Sequence, residues 1–439
     1  MGRVRVSIFF SVFVAMVGLM IIAPVMPPLI RELGLSETHS GLIISLGSVA
    51  MAVMAPVWGR WSDTKGRKPV ILIGFLGMFV SYVLFTLTMY AGLAKLIGGS
   101  LLVTLLIVAR GMVGMFIPAV PSSAQAYMAD VTDEKGRASG MALIGAANGM
   151  GLVMGPAIAG VFALIGLIWP LYIGALLPLI AFAVVLLLIP PHKPIVTEKA
   201  PKLNPFQKGL RLYLFAGLAT MMSIVTLQVV GGFYFQDQLS LTTTETARML
   251  SFGMMLSGIA MIFTQGVQMK NPKWQPRSLI LVGSLLVIAG TSLFLFVIHA
   301  VGFYIAFFLF GVGTGLMMPG FMAGASLAVS REQQGGVAGL VGAVQGVSAV
   351  IAPILSTSLY QLEKHLPFGV VSVVVLVMAI TMLVTKAKSA LQQLCWRQSI
   401  RSRQSKQVAR TRFFTNELGS GSCFSDVGDN DYRSYRSVL

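Results

Sequence analysis

Long apolar runs separated by short polar ones dominate the chain. Stretches of about 18 to 25 residues almost free of charge recur from end to end, and at about 1.5 Å of helical rise per residue each crosses a hydrocarbon core of roughly 30 Å. The pattern predicts twelve transmembrane helices, over residues 6–29, 41–59, 69–90, 97–121, 137–163, 167–190, 211–235, 245–268, 278–298, 301–325, 335–360 and 367–386. Strands of a transmembrane barrel would alternate apolar and polar positions over segments of about ten residues, and no part of the chain does so. The first run follows directly on Arg3 and Arg5, as a secretory signal would. It is longer than the usual apolar core of about 7 to 15 residues, however, and PVMPPL at its end is a poor cleavage site, so it is read as the first span. An even number of spans puts both ends of the chain on one side.

Composition agrees with this reading. A chain of 439 residues that is 56% hydrophobic and 11% charged, with mean hydropathy +0.82, carries more apolar surface than a soluble core of that size hides. Charge then suggests an orientation. With the N-terminus in the cytoplasm, 27 of the 32 Lys and Arg residues fall in inner segments, while the outer segments hold only Arg31, Lys95, Arg248 and Lys364, and Arg110 lies within a span. Short cytoplasmic loops carry such an excess. The net charge of +17 therefore reflects this bias and a basic C-terminal stretch beside anionic headgroups, and no nucleic-acid partner is needed to explain it.

The longest internal polar stretch, PPHKPIVTEKAPKLNPFQKG at 190–209, separates two sets of six spans. The expected organisation is an N-terminal half over 1–190, a cytoplasmic central loop over 191–210, a C-terminal half over 211–390 and a disordered basic cytoplasmic tail over 391–439. Internal repetition supports the two halves: Gly145, Asn148, Gly149 and Pro156 match Gly342, Gln345, Gly346 and Pro353 at one offset, which Gly114 and Gly311 share. Cys395 and Cys423 both lie in the tail, so no disulfide framework or metal-ligand cluster is expected. The four His residues sit in loops or at span ends. No phosphate-cradling Gly-rich loop ending in Lys-Ser or Lys-Thr occurs, so ATP is not the expected energy source, and no cofactor, metal or catalytic set is expected.

Charge is concentrated in GRWSDTKGRKPV, residues 59–70, between the second and third runs. Physically, a short turn rich in cations anchors topology at the negatively charged leaflet, and Gly59 and Gly66 would let helix and loop backbones approach closely. The stretch resembles the loop between helices two and three of the major facilitator superfamily, with Gly59, Asp63, Gly66, Arg67 and Lys68 matching its pattern. The resemblance implies a twelve-helix all-α fold in two six-helix pseudo-repeat halves. It also implies that Asp63 latches the halves by accepting hydrogen bonds near Gly335 and Gly336 at the start of helix eleven. GAANGMGLVMGPAIAG at 145–160 carries Gly151, Gly155, Pro156 and Gly160. Such small residues allow close helix packing; the stretch also resembles the helix-five pattern of exporters in that superfamily, with Ala159 replacing one glycine. LIVARGMVG at 106–114 resembles the helix-four motif of the twelve-span drug:proton antiporter branch, in which the Arg, here Arg110, is tied to proton coupling.

A cation in mid-span costs about 2.5 to 3.5 kcal/mol on insertion scales, so Arg110 is expected to face an interior cavity and to have a partner. Many antiporters of that branch carry an acid inside helix one, whereas residues 7–30 contain none. Of the 15 acidic residues only Asp237 is placed where it could face the cavity, either as a proton-carrying carboxylate or as a solvated helix end. Gln125, Tyr127, Asn148, Gln228, Gln265 and Gln345 are candidates to line a central site, or equally to hydrogen-bond between helices. The 26 Met residues suit a pliable wall. The resemblance implies a proton-coupled exporter of a small amphipathic, drug-like molecule in the inner membrane, acting as a monomer. Two alternatives are an exporter of an anionic metabolite such as a carboxylate siderophore, which the missing helix-one acid motivates, and an uptake symporter of the same fold.

Overall fold

The computed structural model describes residues 2–132, 134–190, 204, 207, 209–270, 274–296, 299–329 and 333–384. Most of the central loop and the whole of the basic tail lie outside the described residues. Among the described residues twelve helices are long and apolar enough to cross a membrane. Spans 1 to 6 are Val4–Glu32, Glu37–Lys65, Arg67–Leu93, Gly99–Val131, Leu143–Ala163 and Trp169–Leu188; spans 7 to 12 are Leu210–Leu239, Thr243–Gln268, Pro276–Phe296, Ala300–Leu327, Gly339–Leu362 and Leu366–Val384. Each coincides with one predicted run. Several extend past it, span 2 reaching Lys65 and span 4 reaching Val131, because helical hydrogen bonding continues into the polar turns that lie beyond the apolar stretch.

Two spans are broken where proline removes a backbone donor. Span 1 consists of the helices Gly2–Ile21 and Met26–Glu32. At Pro24 the missing N–H leaves Met20 O to be taken by Ala23 N at 3.2 Å, and the chain turns over residues 22–25. Span 4 likewise divides into Gly99–Phe116 and Ala119–Val131 around Pro118. Spans 2 and 3 are joined by Gly66 alone, whose φ of 97° lies in the region that favours glycine. Gly59, by contrast, makes no close approach: a Cβ there would meet no described atom within 4 Å, so the expected helix contact at Gly59 is not formed.

Within each set of six spans, equivalent crossings recur. A methyl group on Gly114 of span 4 would lie 2.0 Å from Gly47 O of span 2, and one on Gly311 of span 10 would lie 2.2 Å from Ser257 O of span 8. The two glycines match in the internal repeat, and the spans they contact are each shifted by six. Spans 9 and 10 also pack backbone to backbone, with a Cβ on Gly283 reaching 2.6 Å from Gly313 O. Where lipid removes the hydrophobic drive between helices, such small-residue contacts provide the dispersion that holds them.

The two sets of spans do not meet evenly along their length. Between spans 5 and 8, a methyl on Gly160 would lie 2.6 Å from Ser251 Cβ, and one on Gly258 2.7 Å from Val153 Cγ2. Further along, a methyl on Gly149 would lie 3.8 Å from Ile262 Cδ1, and one on Gly145 would have no described atom within 4 Å. Spans 2 and 11 repeat the gradient: a methyl on Gly41 would fall 2.2 Å from Thr357 Oγ1, Ser45 Oγ donates to Val350 O at 2.6 Å, a methyl on Gly346 would lie 3.9 Å from Ala52 Cβ, and one on Gly342 would meet no described atom within 4 Å. Among the described residues, contacts between the two sets of spans are close at the end that carries Arg31 and thin out toward the end that carries Asp63, here called the zipped and the parted end.

Candidate functional site

Where the halves begin to part, a cavity of about 140 Å³ lies between spans 1, 2, 4, 7 and 11. Its wall is built from Leu19, Met20, Ile22, Ala23, Met26, Pro27, Ile44, Ser48, Met51, Val225, Val229 and Ala349, with Gln228 and Arg110 as the strongly polar members. Arg110 is 7% exposed. Its aliphatic stem crosses Gly47, where a Cβ would lie 3.0 Å from Arg110 Cγ, so the glycine is what lets the stem reach the cavity from span 4. Arg110 Nε is buried without a hydrogen-bond partner, and among the described residues no carboxylate pairs with this side chain. Gln228 Nε2 reaches only the Met20 sulfur, at 3.7 Å, a weak acceptor.

At the zipped end, charges gather across the two halves. Arg31, on the short helix that follows the Pro24 turn, donates to both carboxylate oxygens of Asp237 at 2.5 and 2.9 Å, to Gln236 at 3.2 Å and to Glu37 at 2.9 Å. Tyr360 O–H donates to Asp237 at 2.6 Å, and Lys364 Nζ stands 3.5 Å away. The Arg31 guanidinium also lies 5.2 Å from the centre of the Phe233 ring. Thr243 Oγ1 donates to Glu32 at 2.9 Å, adding a second bond between the halves.

At the parted end the ion pairs among the described residues stay within one half. Arg67 donates to Asp130 at 2.9 Å and to Ser62 at 3.2 Å, and it pairs with Asp63 four residues before it. Arg67 and Asp130 are 5% and 7% exposed, whereas Asp63 is 54% exposed. Lys68 Nζ donates to Leu186 O at 2.9 Å, tying span 3 to span 6.

The sequence-predicted residues thus divide. Arg110 and Gln228 share the cavity. Asp237 lies at the zipped end against Arg31, neither on the cavity wall nor fully solvated. Gln125 is exposed, and Tyr127 O–H donates to Pro190 O at 3.0 Å at the far end of span 6. Asn148, Gln265 and Gln345 are half-buried. Gly151 and Gly155 seat span 5 on Met16 and Met20 of span 1, Pro156 is buried, and Gly160 meets span 8. Sequence reasoning missed Arg31 and Tyr360; the available signal was a cation and a tyrosine at span ends, with no indication that they share a partner.

Twelve spans in two sets of six around a cavity define a multi-pass membrane protein. The family model of the Major Facilitator Superfamily matches residues 8–353 and 271–424, and the chain belongs to that superfamily. It is 25% identical over 377 residues to multidrug resistance protein 1 of Bacillus subtilis, covering 82% of this chain and 90% of that protein. It is 26% identical over 369 residues to the class B tetracycline resistance protein of Escherichia coli, covering 81% and 88%. Among solved structures, a bacterial homologue of the lysosomal transporter Spinster, in an inward-facing and occupied conformation, superposes with a TM-score of 0.66 at 14% identity, covering 88% of this chain and 97% of that one. The human organic anion transporter MFSD10 gives 0.62 at 17% identity, covering 87% and 99%. These likenesses identify a multi-pass inner-membrane transporter of small molecules.

Proposed function

We propose that the chain is a secondary active transporter that exports a small amphipathic molecule by proton antiport, with its two halves rocking about the cavity in alternating access. The observation that carries this reading is the gradient of contact between the halves, tight from Gly160 and Gly41 and absent at Gly145 and Gly342, with the cavity between. With the Asp63 end in the cytoplasm, as the distribution of Lys and Arg expects, the parted end admits cargo from the cell and the Arg31 cluster closes the way out. The multidrug and tetracycline resistance relatives support the direction of transport and the drug-like class of cargo.

The test is flux in inside-out vesicles with an acid interior, using amphipathic dyes of both charges. Accumulation that stops when an ionophore collapses the pH gradient is the expected result. Gradient-driven accumulation only in right-side-out vesicles would refute export and establish an uptake symporter.

A further inference from the structure

The cavity has a sign. Arg110 brings the one formal charge on its wall, and every described acidic side chain has its place elsewhere: Asp237 and Glu37 against Arg31, Asp63 and Asp130 against Arg67, and Glu32, Glu245 and Glu363 at span ends. A buried guanidinium lacking a carboxylate is costly unless something supplies one. Its Nε is unsatisfied although the side chain is more than nine-tenths buried, and Gln228 beside it spends its amide on a thioether sulfur. The rest of the wall is soft and apolar, with Met20, Met26 and Met51 among its members.

We infer that this cavity is an anion seat: Arg110 takes the carboxylate or sulfonate group of an amphipathic organic acid, Gln228 turns to the same group, and the methionine wall holds the molecule's apolar body. This deepens the export reading and rests on it for the direction of movement, while the binding chemistry rests on Arg110 alone. A planar guanidinium with free N–H groups matches a carboxylate in two places at once. A lipophilic cation of the same shape would face Arg110 across a few ångströms with nothing to offset it. At about 6 Å and an effective dielectric constant of about 20, the attraction to an anion amounts to roughly a hundredfold in affinity, and the repulsion of a cation to a similar factor.

The test uses fluorescein and rhodamine 6G, which share a xanthene scaffold and carry opposite charge, with the full chain in lipid nanodiscs and binding read by fluorescence anisotropy. Fluorescein is expected to bind at least tenfold more tightly than rhodamine 6G. Arg110→Gln should weaken fluorescein binding by roughly a hundredfold, with Arg110→Lys falling between because a point charge keeps the attraction and loses the fork. Ser48→Glu, which places the missing carboxylate on the cavity wall, should cancel the charge of Arg110 and abolish the preference for fluorescein; it serves as the independent variant where Arg110→Gln does not fold. Rhodamine 6G binding more tightly to the wild type, no fluorescein binding, fluorescein affinity unchanged in Arg110→Gln, or an unchanged preference in Ser48→Glu would each overturn the anion seat. Fluorescein bound through Arg110 but moved by no gradient in vesicles would refute export and leave the seat standing.

Discussion

Asp237→Asn should open the zipped end. The substitution keeps the shape of the side chain and an acceptor for Tyr360, and removes the charge that Arg31 meets at 2.5 and 2.9 Å. An exposed ion pair contributes up to about 1 kcal/mol, and stripping one partner from a fully buried pair costs about 3 to 5 kcal/mol. Arg31 and Asp237 are 22% and 21% exposed, which places the loss between these limits, at about 2 kcal/mol. That is roughly a 30-fold change in the balance between closed and open, so an open population of about 3% would rise to about half. Spin labels at Leu96 and Val301, exposed by 74% and 69% on opposite halves at this end, would report it by double electron–electron resonance, with Cys395 and Cys423 first replaced by Ser. The wild type should give one short distance and Asp237→Asn a second, longer one of similar weight. Because the two side chains share one interaction, Arg31→Gln with Asp237→Asn should open the end no further than Arg31→Gln alone. Distance distributions unchanged in both single variants, or effects that add in the double, would refute the lock.

Packing and burial set three further outcomes. Gly41→Ala places a methyl 2.2 Å from Thr357 Oγ1 and 2.8 Å from Pro353 O, so it should wedge spans 2 and 11 apart and lengthen the same spin-label distance, whereas Gly145→Ala, which meets no described atom within 4 Å, should leave it unchanged. Gly114→Ala drives a methyl to 2.0 Å from Gly47 O inside one half, and thermal unfolding in detergent should show a loss of about 1 to 3 kcal/mol, the usual cost of overpacking. Asp130→Asn removes the buried one of the two carboxylates on Arg67 and leaves Asp63, so it should cost less than the about 3 to 5 kcal/mol of a stranded buried charge, yet more in the same assay than Asp63→Asn, which at a 54% exposed position should cost less than about 1 kcal/mol.

The features legible in the sequence came from constraints that leave one solution. Twelve apolar runs long enough to span a bilayer have to be helices, and a lone cation in mid-span has only an interior to face, so Arg110 was found where it was expected. Its expected partner is not among the described carboxylates, because charge alone does not say whether a protein group or a ligand supplies the counter-charge. The residues that lie off the cavity wall or went unnoticed share a cause, Tyr127 making the kind of inter-helix hydrogen bond that was its alternative. Gln125 and Tyr127 lie beyond the break at Pro118, and Arg31 beyond the turn at Pro24; once a helix is interrupted, the phase of the next helical segment is set by the turn and not by the period before it. The exporter-like glycines of span 5 were visible as small residues, but nothing in their spacing told which would meet span 1 and which span 8.

The charges themselves tie conformation to chemistry. Both ends of the bundle carry an arginine bridging two acids, yet at one end the bridge crosses the halves, through Arg31 and Asp237, and at the other it remains inside one half, through Arg67, Asp63 and Asp130. The difference between the ends is therefore one of which half supplies the partner, and it matches the contact gradient along spans 2, 5, 8 and 11. In the proposed cycle, parting of the Arg31 end would leave Asp237 with Tyr360 and Lys364, which sit on its own half, and would cost it Arg31. At the opposite end Asp63 is already half in solvent and paired with a residue that Asp130 also holds. Were Asp63 to turn toward the start of span 11, as the proposed latch requires, Arg67 would stay paired with Asp130 and no buried charge would be stranded. Among the described residues the paired acids lie at the two ends, and the one formal charge on the cavity wall between them is the cation Arg110.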